Sequence, residues 1–186
     1  MRVIAGTHGG RRLKAPPGRT TRPTSDRVRE ALFSMLGGLD GERVLDLFAG
    51  TGALGIEALS RGAARAVFVE RDARAAAVLS ENLEALAIGT DRAELRRGEA
   101  LAALRAAAER DELYDLVLID PPYGEAARLG SELVALLAPL LASDARVVTE
   151  SDRRAPLGLE LPIATERRYG DTSITISKPW PDPSAR

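Results

Sequence analysis

The 186-residue sequence contains no cysteine and a single histidine, His8. The absence of cysteine excludes disulfides, thiolate metal sites and a cysteine nucleophile. One histidine disfavours a Ser-His-Asp triad and a histidine-rich metal site. We expect His8, which lies in a glycine-rich turn, to be a solvent-exposed loop residue, and we expect no bound metal. Catalysis would have to use carboxylates, hydroxyls, aromatic rings and the backbone.

Long apolar runs are also missing, and none approaches the length of a membrane span. The start, Met1-Arg-Val-Ile-Ala-Gly6, is typical of a strand rather than of a signal peptide. Hydrophobic residues form 45% of the chain, as in globular proteins. These features predict one domain with a substantial core, no membrane partner, a cytoplasmic location and a monomer.

The net charge of −1 conceals an asymmetry between the N-terminus and the rest of the chain. Residues 1–30 carry eight basic and two acidic groups, whereas the remainder carries 18 basic and 25 acidic groups. A basic arm on an acidic body suggests that the arm binds a polyanion. A solvated arginine-rich surface is the simpler alternative, because arginine outnumbers lysine 24 to 2 throughout.

The pattern of apolar and turn residues predicts an N-terminal hairpin followed by alternating strands and helices. Arg2–Ile4 and Arg11–Ala15 flank a glycine-rich turn and predict a β-hairpin. Thr24 or Ser25 would cap a helix that runs to about Leu36. Strands are predicted at Val44–Ala49, Ala66–Glu70, Ala93–Arg97, Tyr114–Asp120, Arg146–Glu150, Arg167–Tyr169 and Ser173–Ser177, and helices at Ala53–Arg61, Ala73–Ala87, Ala100–Arg110 and Ala126–Leu141.

This alternation predicts a Rossmann-like α/β fold with a mostly parallel, doubly wound sheet. The closing hairpin around Gly170-Asp171 adds a C-terminal antiparallel strand. We expect an N-terminal basic extension over residues 1–24, the α/β domain over 25–178 and an irregular tail over 179–186.

The stretch from Asp46 to Gly55 contains a G-x-G-x-x-G motif at Gly50, Gly52 and Gly55, between a predicted strand and a predicted helix. Glu70 ends the next strand, where a carboxylate can bind ribose hydroxyls. Together these residues predict a cofactor that contains adenosine. The alternative is a glycine turn that serves packing alone.

The motif itself does not choose between NAD and S-adenosylmethionine. Asp46 favours the latter, because S-adenosylmethionine has no phosphate and carries an ammonium and a sulfonium. Glu99 follows the third strand and could bind the adenine amino group or cap the next helix, and one side chain can combine both roles.

The buried run Leu116–Ile119 ends in Asp120-Pro-Pro-Tyr123. An exocyclic base amine is a poor nucleophile, because its lone pair is delocalised into the ring. Two acceptors that hold its N–H bonds favour a pyramidal amine, and the Asp120 carboxylate and the Pro121 carbonyl could be these acceptors. Pro122 stiffens the turn, and Tyr123 offers a face for base stacking. The alternative is an ordinary Pro-Pro turn.

The sequence resembles the bacterial 16S rRNA guanine-N2 methyltransferases, the D subfamily of small-subunit rRNA methyltransferases. The resemblance rests on Arg22–Phe33, Leu45–Gly62 and Asp120–Tyr123 and covers essentially the whole chain. It implies an S-adenosylmethionine site that includes Asp46, Phe48, Gly50, Gly52, Glu70, Glu99 and Asp120. It also implies that residues 120–123 surround a flipped guanine and that the substrate is 16S rRNA, within small-subunit particles.

On this interpretation the basic arm contacts RNA phosphates through Arg11, Arg12, Arg22, Arg27 and Arg29. Arg22 could equally close over the cofactor. Three alternatives stay open: a DNA adenine-N6 methyltransferase, an NAD-dependent oxidoreductase and a non-catalytic RNA-binding module. Cytosine-C5 methylation is disfavoured, because it normally requires a cysteine nucleophile.

Overall fold

The structure, a computed structural model, describes residues 1–15, 25–122, 126–152 and 157–180. Tyr123 and Arg22, which the sequence analysis singled out, lie outside these residues. The chain forms two units, Met1–Ala100 and Leu101–Arg186.

The first unit is built around three parallel strands with β2 in the middle. Phe68 of β2 shows this arrangement, because it pairs with Asp46 on one side and with Leu95 on the other. The strands are β1 (Arg43–Asp46), β2 (Arg65–Glu70) and β3 (Ala93–Arg97). The helices are α1 (Asp26–Leu36), α2 (Ala53–Ser60) and α3 (Ala73–Ala85).

Side-chain caps fix where two of these helices begin. The Ser25 side chain accepts from the Val28 N–H, so Ser25 is the N-cap of α1. Asp72 accepts from the N–H groups of Arg74 and Ala75 and caps α3 in the same way. The predicted start of α1 at Thr24 or Ser25 is therefore confirmed at Ser25.

The predicted N-terminal hairpin forms, although its strand pairing is reduced to one antiparallel bridge between Arg2 and Arg12. Its turn is held to α2 by hydrogen bonds instead. The His8 N–H donates to Ser60 Oγ at 2.9 Å, and His8 is half-buried rather than exposed as expected. Gly6 has φ +81°, and a Cβ there would lie 1.7 Å from the Ser60 carbonyl oxygen, so only glycine fits.

The second unit contains the remaining strands in the order β4, β5, β7, β6. β4 is parallel to β5, whereas β7 is antiparallel to both β5 and β6. The strands are β4 (Tyr114–Ile119), β5 (Leu141–Asp152), β6 (Ile163–Tyr169) and β7 (Thr172–Ser177), and the helices are α4 (Ala100–Ala108) and α5 (Ala126–Leu137).

These elements are of the mixed α/β, Rossmann-like class, which confirms the predicted fold. The largest difference between the predicted and observed strands is in β5, which extends from Leu141 to Asp152, whereas the prediction was Arg146 to Glu150. A shift in register against β4, between Tyr114 and Leu116, accommodates the added residues. Among the described residues, no helix is long and apolar enough to cross a membrane.

Candidate functional site

The glycine motif forms a tight loop from the end of β1 to the start of α2. Gly50 and Gly52 have φ values of +55° and +83°, which disfavour other residues. Gly55 has a different reason to be glycine, because an added Cβ would lie 2.3 Å from the Phe68 ring. In the described part of the chain, apart from Gly50 and its two chain neighbours, no residue has a heavy atom within 4 Å of a Cβ added at Gly50. The backbone at Gly50 is thus open to close approach by a ligand.

Glu70 ends β2 and joins the loop directly. Its Oε2 accepts from the Gly50 N–H at 2.7 Å, and its Oε1 accepts from the Asp72 N–H at 2.7 Å. A carboxylate offers about four lone-pair positions. Two bonds to the backbone therefore fix the orientation of Glu70 and leave acceptor capacity for the hydroxyls of a ribose.

Asp46 is the last residue of β1 and is 2% exposed. Its Oδ2 accepts from the Gly55 N–H at 2.9 Å, so the carboxylate ties the strand end to the first turn of α2. Burial raises the pKa of Asp46 to about 7, the Gly55 hydrogen bond opposes this rise, and the charge of Glu70 adds to it. A cationic ligand close to the loop would favour the ionised form.

Phe48 and Glu99 are the other predicted cofactor residues of this unit. Phe48 lies within the loop and is half-buried. Glu99 directly precedes α4, its side chain is 69% exposed, and its Oε2 lies 3.5 Å from Arg71 Nη1. The Gly98 N–H donates to the Glu70 carbonyl oxygen at 3.1 Å, which holds the segment before Glu99 at the end of β2.

The Asp120 turn lies in the second unit, directly after β4. Residues Leu116–Ile119 are at most 1% exposed, which confirms the prediction of a strand buried on both faces. Asp120 is half-buried, Pro121 is buried and Pro122 is exposed. The Asp120 carboxylate and the carbonyls of the two prolines therefore lie at the carboxyl end of a parallel strand. Open α/β sheets bind their ligands at this end of the strands.

The four predicted RNA-contacting arginines that the structure describes fall into two groups. Arg11, Arg12 and Arg27 are exposed, and Arg11 Nη2 donates to the Ala85 carbonyl oxygen of α3 at 2.9 Å. Arg29 is fully buried, so its side chain cannot reach a phosphate in this conformation.

Buried Arg29 has internal partners instead. Its Nη2 donates to the Arg2 carbonyl oxygen and, at 3.0 Å, to Asp26 Oδ1. Burial lowers the pKa of Arg29, whereas the carboxylates of Glu57 and Asp26 raise it. The residue therefore joins α1 to the hairpin.

Three buried polar residues that were not predicted from the sequence hold the hairpin in place. Glu57 is fully buried and accepts from the N–H groups of Ile4 and Ala5, at 2.7 and 3.1 Å. Ser60 and Asn82, 1% and 2% exposed, also bond to hairpin residues. A polar residue on an otherwise apolar helix face was the available signal, because such residues are buried only when their hydrogen bonds are made.

A strand, a glycine loop, a helix and a carboxylate at the end of the next strand define a Rossmann-like α/β protein with a candidate nucleotide-cofactor site. Within that class, this chain belongs to the family described as "Conserved hypothetical protein 95", whose model matches residues 1–178. This match, together with the relatives described next, confirms the resemblance to the D subfamily of small-subunit rRNA methyltransferases that was noted from the sequence.

Two curated relatives and one solved structure are similar to this chain over most of their length. "Putative rRNA methyltransferase YlbH" of Bacillus subtilis is 43% identical over 187 residues, covering 96% of this chain and 98% of the relative. Ribosomal RNA small subunit methyltransferase D of Escherichia coli K12 is 38% identical, covering 82% and 75%. The solved structure of a hypothetical protein from Thermus thermophilus superimposes with a TM-score of 0.82 at 31% identity, covering 96% and 99%.

Proposed function

We propose that this protein is an S-adenosylmethionine-dependent rRNA methyltransferase that modifies the exocyclic N2 amine of a guanine in 16S rRNA. The observation that carries the proposal is the 2.7 Å hydrogen bond from the Gly50 N–H to Glu70. It joins the glycine loop to the carboxylate 20 residues further on, the two parts of the motif that together predict an adenosine-containing cofactor. The names of the relatives from Bacillus subtilis and Escherichia coli support rRNA as the substrate.

The residues around the glycine loop suit S-adenosylmethionine better than a dinucleotide. The backbone at Gly50 is open, Glu70 is oriented by two backbone N–H groups, and Asp46 brings a carboxylate to the loop. Negative charge on Asp46 would oppose a pyrophosphate and favour an ammonium or sulfonium, whereas Glu70 would suit the ribose of either cofactor. When bound, the cofactor would supply a methyl group on a positively charged sulfur.

The proposed substrate groups lie in the second unit. The Asp120 carboxylate and the Pro121 carbonyl would accept hydrogen bonds from the two N–H groups of the guanine amine, which frees its lone pair for in-line attack on the methyl carbon. As the N–C bond forms, the C–S bond would break and S-adenosylhomocysteine would leave. The methylated amine would then lose one proton to Asp120 or to solvent. Tyr123 stacks on the flipped base. No histidine acts as a general base in this scheme. Positioning of the amine and electrostatic stabilisation provide most of the rate enhancement.

The exposed arginines of the N-terminal region are the proposed phosphate contacts. Arg11 and Arg12 are exposed residues of the hairpin, and Arg27 is an exposed residue of α1. We leave Arg29 out of the proposed contacts because of its burial, and Arg22 remains a candidate from the sequence alone. These contacts would position RNA, whereas the flipped base and the loop shape would provide specificity.

One experiment tests the reaction and its substrate together. Purified protein is incubated with methyl-labelled S-adenosylmethionine and either naked 16S rRNA or small ribosomal subunits, and the labelled nucleoside is identified after digestion. We expect N2-methylguanosine. A labelled adenosine would contradict the N2-guanine assignment, and tight binding of NAD without binding of S-adenosylmethionine would contradict the proposed reaction.

A further inference from the structure

Asn82 is a buried polar residue on α3 that contacts two separate parts of the first unit. Asn82 is only 2% exposed, and its buried neighbours on the helix, Leu79 and Leu83, are apolar. The Oδ1 atom accepts from the Lys14 N–H at 2.8 Å. The Nδ2 atom donates to the Lys14 carbonyl oxygen at 3.2 Å and to the Thr51 carbonyl oxygen at 3.0 Å. One side chain therefore connects the hairpin to the glycine loop.

The three hydrogen bonds determine how the amide is oriented. The Lys14 N–H requires an acceptor, and the Thr51 carbonyl requires a donor, so only one orientation of the amide serves both. The side chain binds Lys14 through both its N–H and its carbonyl, as a neighbouring strand would. Lys14 is further held at the surface by a 2.8 Å ion pair with Glu81 of the same helix.

The two contacts of Asn82 belong to the two surfaces on which the proposed function depends. Thr51 lies between Gly50 and Gly52 in the proposed cofactor loop, and Lys14 follows Arg11 and Arg12 in the proposed RNA-binding hairpin. Leu79, one turn earlier on α3, also packs on the loop, since a Cβ added at Gly52 would lie 2.1 Å from Leu79 Cδ1. A shift of the loop must therefore displace α3 or break the hydrogen bond between Asn82 and the Thr51 carbonyl.

We propose that Asn82 is a positioning residue that couples cofactor binding to RNA binding, so that each ligand increases the affinity for the other. This inference rests on the proposed function. Ordering of the glycine loop by the cofactor fixes Thr51, which fixes the Asn82 amide and, through it, the backbone of Lys14. Because coupling between two binding sites is reciprocal, RNA on the hairpin tightens cofactor binding by the same factor.

Ser60 provides a matched control on the same hairpin. Its Oγ accepts from the His8 N–H at 2.9 Å and donates to the Ala5 carbonyl oxygen at 2.5 Å. Ser60 is buried like Asn82, but these two hydrogen bonds join it to the hairpin and not to the glycine loop. If Asn82 only stabilised the docked hairpin, substitution of either residue would have the same effect on coupling.

The test is a binding cycle with S-adenosylhomocysteine and 16S rRNA. The dissociation constant of S-adenosylhomocysteine is measured by calorimetry with and without saturating RNA, for the wild type, Asn82→Asp and Ser60→Ala. Aspartate retains the acceptor for the Lys14 N–H and loses the donor to the carbonyls of both Thr51 and Lys14. We expect RNA to tighten binding about fivefold or more in the wild type and in Ser60→Ala, and less than about twofold in Asn82→Asp.

Retained coupling in Asn82→Asp, equal loss in Ser60→Ala or no coupling in the wild type would overturn the inference while leaving the proposed function intact. Failure of the wild type to bind S-adenosylhomocysteine at all would overturn both. These outcomes separate the two proposals, because cofactor binding alone is measured in the same experiment.

A second measurement uses only the wild type and does not depend on the folding of a variant. Amide hydrogen exchange is followed at Lys14, whose N–H binds Asn82, and at His8, whose N–H binds Ser60. Saturating S-adenosylhomocysteine is expected to slow exchange at Lys14 severalfold more than at His8. Equal protection at the two amides, or none at Lys14, would overturn the inference.

Discussion

The Gly50 N–H donates to Glu70 Oε2 over 2.7 Å, and this bond joins the loop after β1 to the end of β2. The adjacent parallel strands bring the two residues together, since Leu45 and Asp46 pair with Val67 and Phe68. The same carboxylate also accepts from the N–H of Asp72, the N-cap residue of α3. Glu70 thus shapes the candidate cofactor site before any ligand is bound.

Removal of the Glu70 side chain should weaken cofactor binding. Glu70→Ala loses the bond to Gly50 and the proposed acceptor for the ribose, and hydrogen bonds to a charged group contribute about 1.5–3 kcal/mol. We expect S-adenosylhomocysteine to bind roughly 10- to 100-fold more weakly by calorimetry. Glu70→Gln keeps one acceptor oxygen and should bind at an intermediate level, whereas wild-type affinity in Glu70→Ala would exclude the proposed contact.

Two glycines of the motif should respond differently to substitution by alanine. Gly55→Ala places a Cβ 2.3 Å from the buried Phe68 ring, and such overpacking costs about 1–3 kcal/mol of unfolding free energy. Gly50→Ala has space for the Cβ and is strained only by its φ of +55°, a cost of about 1 kcal/mol. Urea denaturation of both variants measures the difference. A larger loss in Gly50→Ala would contradict the packing described for Gly55.

Asp46 should make stability depend on pH. Burial raises its pKa from 3.8 to about 7 in the folded protein. Because the folded pKa lies above the unfolded one, the stability contribution of the group is complete below about pH 4 and is lost as the pH rises through about 7. The loss is at most about 1.4 kcal/mol per pH unit.

Asp46→Asn isolates this effect, because asparagine Oδ1 can still accept from the Gly55 N–H. Urea denaturation of both proteins between about pH 5 and pH 8 should show that the wild type loses stability relative to the variant as the pH rises. Parallel stability curves would indicate that Asp46 has the same pKa in the folded and unfolded states.

Asp120→Ala should separate binding from chemistry. The variant loses the proposed acceptor for the guanine amine, and removal of one preorganised electrostatic group commonly lowers kcat by about 10²-fold or more. We expect single-turnover methyl transfer to fall at least this much while S-adenosylhomocysteine still binds. Turnover close to that of the wild type would contradict the proposal that Asp120 accepts a hydrogen bond from the guanine amine.

The hairpin arginines should determine part of the salt dependence of RNA binding. Arg11→Ala combined with Arg12→Ala removes two proposed phosphate contacts, and each contact contributes roughly 0.7–0.9 to the slope of log K against log salt concentration. We expect a shallower slope as well as weaker binding by filter assay. Arg110→Ala, which removes a half-exposed arginine paired with Glu112, is the control. An unchanged slope in the double variant would exclude the hairpin from the interface.

Local sequence patterns were sufficient to predict the order of strands and helices, the glycine loop and the buried strand before Asp120. These features depend on near neighbours: apolar periodicity, glycines where φ is positive, and the capping residue Ser25. The extent of the long strand β5 was less accessible to prediction. Its length depends on pairing with β7 and on the irregular register with β4.

Only the tertiary structure decided what the polar side chains do. Arg29 and Arg11 are both arginines of the basic N-terminal region, yet one is fully buried against Asp26 and the other is exposed. Asn82 is one polar residue in a helix of ordinary composition until folding brings Lys14 and Thr51 to it, 68 and 31 positions away in sequence. Periodicity places a residue on a face of its helix or strand, but burial and hydrogen-bond partners depend on the elements that pack against that face.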